Sequence, residues 1–223
     1  MDSLVFHPFD WHINDRYDDD GRMNIHCWGL TRESKKVLVR FVDFPSSVIV
    51  EFPSYTNGIP EVWNDMRIDE VMSSLKNTVF FTRYSKLDGD RLYYNGEGRY
   101  TCVVVLFKNE SSMWKLVKTL EDPIKLNNGK HIKLNVYEHN IRPVRKLLTL
   151  RNLLYSGWMK LPVKKVDSKI STAEEEYIGS WMNAEPLTTE ESARCMSKPL
   201  VMSYDIETLS FRTDGFPNAV IPK

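Results

Sequence analysis

Leu200-Val201-Met202-Ser203-Tyr204-Asp205-Ile206-Glu207-Thr208-Leu209-Ser210 reads as a strand, with Pro199 in front of it and polar residues behind. Side chains alternate faces along a strand, so Asp205 and Glu207 point one way and Ile206 points the other, into a core. Two carboxylates side by side repel, and each is costly to bury unless a cation lies between them. A divalent metal removes both costs. An oxygen-only donor set suits magnesium or manganese, which polarise phosphates and activate water. The competing reading is an exposed edge strand whose Asp-x-Glu is simply solvated, and a motif this short does not separate the two alone.

The rest of the chain sets the context. At 223 residues it holds one large domain or two small ones. With 42% hydrophobic and 27% charged residues it has an ordinary soluble, globular composition. Cys27, Cys102 and Cys195 form no CxxC pair and no zinc spacing, which reads as reduced thiols in an intracellular protein. No apolar run approaches the ~18 residues of a membrane span. The opening residues, Met1 to Phe6, lack the basic start of a signal peptide. Lys plus Arg and Asp plus Glu are both 30, but they are unevenly spread. Residues 123–169 carry eleven Lys/Arg against Glu138 and Asp167, a net +9, whereas the first thirty residues sum to −4. A basic middle is either a solvated face or a surface for an anionic partner.

Taken in order, the alternation Phe9, Trp11, Ile13 predicts a half-buried strand. Strands over 23–30 and 37–44 and a fourth at 48–52 complete a meander of the kind that builds small barrels and OB-like folds. Pro60 suits the first turn of a helix, and Ile68, Val71, Met72 and Leu75 give its buried stripe. Strands follow at 79–86 and 91–94, then a buried strand at 100–107 with the run Val103-Val104-Val105. Met113, Leu116, Val117 and Leu120 predict a second helix, capped by Asn109 or Ser111. Asn128-Gly129 is a turn, and Ile132, Leu134 and Val136 alternate in a further strand. Helix, strand, hairpin, strand, helix, strand suits an α+β sandwich of the ferredoxin-like or RNA-recognition type. Phe80, Tyr84, Tyr93, Tyr94 and Tyr100 are then either base-stacking aromatics or packing residues.

From Val136 to Pro162 the chain reads as strand, helix and extended exit. Asn140 is the expected N-cap, Val144, Leu147, Leu148 and Leu154 the buried stripe, and Gly157 the C-terminal stop. Lys164, Lys165 and Lys169 follow, and residues 166–198 are polar and read as a surface connector.

Tyr204-Asp205-Ile206-Glu207-Thr208 with the downstream Phe216-Pro217 resembles the first exonuclease motif of family B DNA polymerases. Tyr137-Glu138-x-Asn140 and Gly157-Trp158-x-x-Leu161 resemble the segment that precedes it in those enzymes, and the two stand in the family's order. Arg142-Pro143-Val144-Arg145-Lys146 departs from the family's bulkier apolar stretch there. The resemblance implies an α+β chain: a β-rich N-terminal domain (1–58 and 130–165) with OB-like strands, a ferredoxin- or RNA-recognition-like insert (59–129), a connector (166–198), and from 199 to 223 the first strand of a ribonuclease H-like exonuclease domain. Ending one strand into a sheet, the chain is expected to be a fragment or a piece of a split enzyme.

The resemblance further implies DNA-directed DNA synthesis with 3′→5′ proofreading. Asp205 would bridge two Mg²⁺ or Mn²⁺ ions about 4 Å apart and Glu207 would hold one of them, the site being completed by residues outside this chain. Thr208, through its backbone, and Leu209, as a wedge, match positions that contact the primer end. Partners would be primer–template and single-stranded template DNA, deoxynucleotides bound by a palm domain absent from these residues, and a sliding clamp, with no membrane. The site of action would be the nucleus, or a cytoplasmic replication site for a viral enzyme. Two other classes stay open: a non-catalytic single-stranded nucleic-acid-binding module, and an exonuclease of the same acidic class without a polymerase.

Overall fold

The computed structural model describes residues 2–14, 23–56, 58–89, 100–126 and 128–199. β1 (Asp2–Asn14), β2 (Asn24–Thr31) and β3 (Lys36–Phe41) follow the first apolar runs, and β4 (Ser46–Phe52) comes next. A short pair, β5 (Tyr55–Thr56) and β6 (Ile59–Pro60), leads into α1 (Asp65–Lys76), whose predicted stripe of Ile68, Val71, Met72 and Leu75 is buried. β7 (Arg83–Gly89) and β8 (Tyr100–Phe107) precede α2 (Glu110–Thr119), which is capped by Asn109 accepting from Ser112 N at 2.9 Å. β9 (Ile124–Lys125) and β10 (His131–Ile132) flank Gly129, whose φ of +82° is ordinary for glycine in a turn. The chain continues through β11 (Asn135–Tyr137), α3 (Pro143–Leu150), β12 (Met159–Lys165), β13 (Glu175–Gly179), a 3₁₀ turn at Trp181–Asn183, β14 (Glu185–Pro186) and α4 (Thr189–Ala193).

Two layered units result. In the first, β1 pairs with β2, β2 with β3, β3 in parallel with β13, β13 with β12, and β12 back with β1. The ring of pairs closes around Phe6, Ile25, Cys27, Val39, Phe41 and Leu161, and Leu147 of α3 joins this core. In the second, four antiparallel strands lie in the order β11-β4-β8-β7. α1 and α2 cover one face, packing on Val48, Val50 and Phe52 of β4 and Val103, Val105 and Phe107 of β8. The mixed α+β, strand-rich class read from the sequence therefore holds.

The structure departs from the sequence reading at several places, each with a physical reason. The fourth strand of the expected meander, β4, belongs to the second sheet, where Val48↔Val105 and Val50↔Val136 are paired. Pro60 stands in β6, because Asn64 caps α1 instead, accepting from Arg67 N at 2.9 Å. The strand expected from Val79 starts only at Arg83, since Val79 and Phe81 are core residues under the end of α1. Phe9 and Trp11 do not share a face: the β1–β2 register shifts between Pro8 and Asp10, leaving Phe9 as an extra residue that turns outward while Trp11 turns in. α3 begins at Pro143 after Arg142 rather than at Asn140, with proline at the position where a missing N–H costs nothing. Leu153 takes the buried place expected of Leu154, which is 73% exposed. Asn152, at φ +52°, makes the left-handed stop expected of Gly157. Residues 175–179, placed in the connector, form β13. Its Glu-Glu start hides a strand, because Glu176 is buried and its Oε1 accepts from Ile170 N (2.9 Å) and Ser171 N (2.7 Å). The strand expected at 91–94 lies outside the described residues.

Close approach between β1 and β2 is set by Gly29. A Cβ there would stand 2.4 Å from Phe6 Cδ2 and 2.7 Å from His7 O. Gly29→Ala is expected to cost about 1–3 kcal/mol through overpacking. Urea unfolding checks it: the midpoint falls with its slope unchanged, and a midpoint equal to that of the parent would show that the strands have room to part.

Candidate nucleic-acid interface

The sequence-predicted site residues Asp205, Glu207, Thr208 and Leu209 lie outside the described residues. Among the described residues no group of three or more His, Cys, Asp or Glu is placed to hold a metal ion. The approach to the motif is described. α4 opens with a capping box in which Thr188 and Glu191 bond each other's backbone N–H. The chain then passes the β2–β3 turn, where Arg32 Nε donates to Cys195 Sγ (3.0 Å) and Lys198 N to Ser34 Oγ (3.1 Å).

The Glu138-to-Trp158 segment joins the two units. Glu138 follows β11 with φ +62°, a left-handed conformation that is uncommon for a non-glycine residue. Its Oε2 lies 3.7 Å from Lys146 Nζ on α3. Lys146 is 8% exposed, and its Nζ donates to Ser47 O on β4 at 2.5 Å. Burial pulls the Lys146 ammonium below the usual lysine range, while the carboxylate of Glu138 partly opposes the shift. One side chain thus fastens α3, which feeds Leu147 into the first core, to the second sheet. At the far end Ser156 Oγ donates to Pro8 O (3.0 Å), Trp11 Nε1 donates to Tyr155 O (2.7 Å), and the Trp158 ring lies 5.4 Å from His7.

The basic middle is largely engaged inside the fold. Lys130 pairs with Glu61, and Lys165 with Glu175 at 2.9 Å. Lys133 donates to Leu120 O, Arg151 to Ala184 O and Lys169 to Ala173 O. Lys160 faces Glu185 and Glu191 at 3.9 and 4.0 Å. Lys130 and then Arg67 hold the Glu61 carboxyl below its usual range, and Lys165 does the same for Glu175. Lys125, Arg142, Arg145 and Lys164 also have exposed side chains.

The aromatic set divides as well. Tyr84 packs toward the α1 side, its OH donating to Asp69 Oδ1 at 2.7 Å, and burial followed by Asp69 raises its pKa. Phe80 is 64% exposed. Tyr100 opens β8, and Tyr93 and Tyr94 lie outside the described residues. Reading by spacing missed the aromatic pair at the junction of the units. Trp181 Nε1 donates to Asp43 O (3.2 Å), and its ring meets Phe44 edge-on at 5.1 Å. These two rings wall a groove of about 370 Å³ floored by Ile49, Val104 and Leu106 and bordered by Arg83. The sequence signal for it is that β8 carries apolar residues on both faces, as strands covered on both sides do.

Residues 134–223 match the family model described as DNA polymerase family B, exonuclease domain. That span takes in both the Glu138-to-Trp158 segment and the Asp205-Ile206-Glu207 motif. The chain is 25% identical over 254 residues to DNA polymerase 037L of Invertebrate iridescent virus 6, an alignment covering 100% of this chain and 19% of that protein. It is 26% identical over 228 residues to the DNA polymerase of Paramecium bursaria Chlorella virus NY2A, covering 100% and 22%. To the DNA polymerase delta catalytic subunit of Plasmodium falciparum it is 22% identical over 205 residues, covering 87% and 19%. The solved family B DNA polymerase of the archaeon Pyrobaculum calidifontis matches its fold with a TM-score of 0.57 at 14% identity, over 83% of this chain and 21% of that one. The resemblance to family B DNA polymerases is thereby borne out. The homology is to their amino-terminal and exonuclease region, and the chain spans about a fifth of the length of the curated relatives it matches. Among the described residues no helix is long and apolar enough to cross a membrane.

Proposed function

We propose that this chain is the amino-terminal region of a replicative DNA-directed DNA polymerase with 3′→5′ proofreading. The observation that carries the reading is the exonuclease-domain match over 134–223, which contains Asp205-Ile206-Glu207. Asp205 and Glu207 form an oxygen-only donor set, which fits Mg²⁺ or Mn²⁺, and these ions would supply polarisation of the phosphate and activation of water. In this reading Thr208 and Leu209 steady the primer end beside those carboxylates. The substrate is primer–template DNA with its single-stranded template. Deoxynucleotides bind a palm domain outside these residues, and a sliding clamp is the expected processivity partner.

The finer architecture is part of the same proposal. The ring β1-β2-β3-β13-β12 with its parallel β3–β13 pair supports an OB-type barrel. The order β11-β4-β8-β7 with two helices on one face supports a ferredoxin-like insert, its first strand being β4. Residues 199–223 would open a ribonuclease H-like exonuclease domain.

The complete gene product, incubated with a primed single strand and four deoxynucleotides, is expected to extend the primer. With deoxynucleotides withheld it should shorten that primer from its 3′ end. A product that binds the strand but neither extends nor shortens it overturns the proposal in favour of a nucleic-acid-binding module.

A further inference from the structure

The turn between β2 and β3 puts serine where the backbone asks for glycine. Thr31 O accepts from Ser34 N (3.0 Å), Lys35 O accepts from Thr31 N (3.0 Å), and Ser34 stands at φ +63°. That is a three-residue hairpin loop whose last residue is left-handed, a position that glycine fills at no steric cost. Serine is strained there, and such strain points to a use for its side chain. Ser34 Oγ accepts from Lys198 N at 3.1 Å, across 164 residues of sequence. From the same turn Arg32 Nε donates to Cys195 Sγ (3.0 Å), and that thiol donates in turn to Glu191 O in α4 (3.2 Å). Among the described residues, Lys198 N is the last backbone group bonded to the first unit. Pro199 follows it, and a proline both holds the residue before it extended and has its own φ fixed. Asp205 is then seven residues on, within about 25 Å of the tie even at full stretch.

We infer that Ser34 and Arg32 are positioning residues for 3′→5′ excision: they fix the point from which the chain runs on to Asp205 and Glu207. The inference rests on the proofreading reading of those two carboxylates. Rates fall steeply when reacting groups are misplaced. Loosening the tie therefore slows excision, while primer extension, assigned to a palm domain outside these residues, keeps its rate.

In the complete gene product, Ser34→Gly keeps the turn and deletes the acceptor. Arg32→Ala is added to it in a double variant. Ser34→Asn tests rescue, since asparagine tolerates a left-handed φ and offers a side-chain carbonyl. Melting temperature, single-turnover excision of a saturating 5′-labelled strand and extension of the same strand are measured. Ser34→Gly is expected to melt at or above the parental temperature yet excise about threefold slower, and the double variant about tenfold slower, the range that one or two hydrogen bonds return. Extension should hold within a small factor, and Ser34→Asn should excise near the parental rate. A turn with a merely structural role gives no such split, because glycine relieves its strain. Should the double variant melt lower than the parent, Ser34→Gly alone decides. Parental excision in the deciding variant overturns the positioning role and leaves the polymerase reading standing. So does extension slowed by the same factor as excision, or Ser34→Asn as slow as Ser34→Gly. A parental product without excision overturns both the positioning role and the proofreading reading.

Discussion

Asp205→Ala in the complete gene product is expected to slow 3′→5′ excision about 10³-fold, because it removes charge stabilisation of several kcal/mol at the reacting phosphate. In the proofreading reading Asp205 and Glu207, two apart in the sequence, hold the cations together, so neither replaces the other: with Asp205 gone, Glu207 alone cannot gather two cations. Glu207→Gln should fall in the same direction, since the amide keeps the shape and loses the charge. Primer extension should change by no more than a small factor, because the proposed function assigns it to a palm domain outside these residues. Single-turnover digestion of a 5′-labelled strand reads the first effect, and extension of the same strand reads the second. Excision at the parental rate in Asp205→Ala would return the motif to a solvated edge strand.

Lys146→Ala in the 223-residue chain is expected to destabilise the fold by about 3 kcal/mol, the scale of breaking a buried charged pair. The substitution leaves Ser47 O without its donor and Glu138 without its counterion, and removes a stem packed between α3 and β4. Lys146→Met keeps the stem and should cost less, and Glu138→Gln combined with it should cost less again. The pH dependence has a definite sign. Burial lowers the folded-state pKa of Lys146, so between that value and the ordinary lysine value the unfolded chain holds the extra proton. The stability of the parent relative to Lys146→Met should therefore rise with pH as the ordinary lysine range is approached from below. Urea midpoints at a series of alkaline pH values measure it, and a falling difference would show that Glu138, not burial, dominates the site.

What the sequence made legible was periodic and local. The stripes of α1 and α2, the cap at Asn109 and the β-branched run of β8 follow from side-chain spacing alone. Asp205 and Glu207, read as paired carboxylates on an expected strand, lie outside the described residues. What stayed hidden is non-local. β13 begins with two glutamates, and only the folded loop at 170–171 supplies the N–H groups that let Glu176 be buried. Whether β4 joins the first or the second sheet is decided by β8, about fifty residues later. The outward turn of Phe9 depends on a register shift against β2 that no spacing rule announces. The groove of Phe44 and Trp181 brings together residues from both ends of the chain through Asp43. The +9 segment reads in the sequence as a solvated face or an anionic-partner surface, and most of its cations find partners only once the chain folds.

The parallel pairing of β3 with β13 also orders events on the ribosome. Lys36 and Glu174, side by side at its start, are separated by 138 residues of chain. Closing so long a loop is entropically slow. The opening meander must therefore wait, incomplete at one edge, until the segment around 175–179 has emerged. The helix-backed sheet between them carries all its own strands and can settle first as translation proceeds. Birth order in this polypeptide would then run from the middle outward, with the earliest-made strands among the last to be sealed.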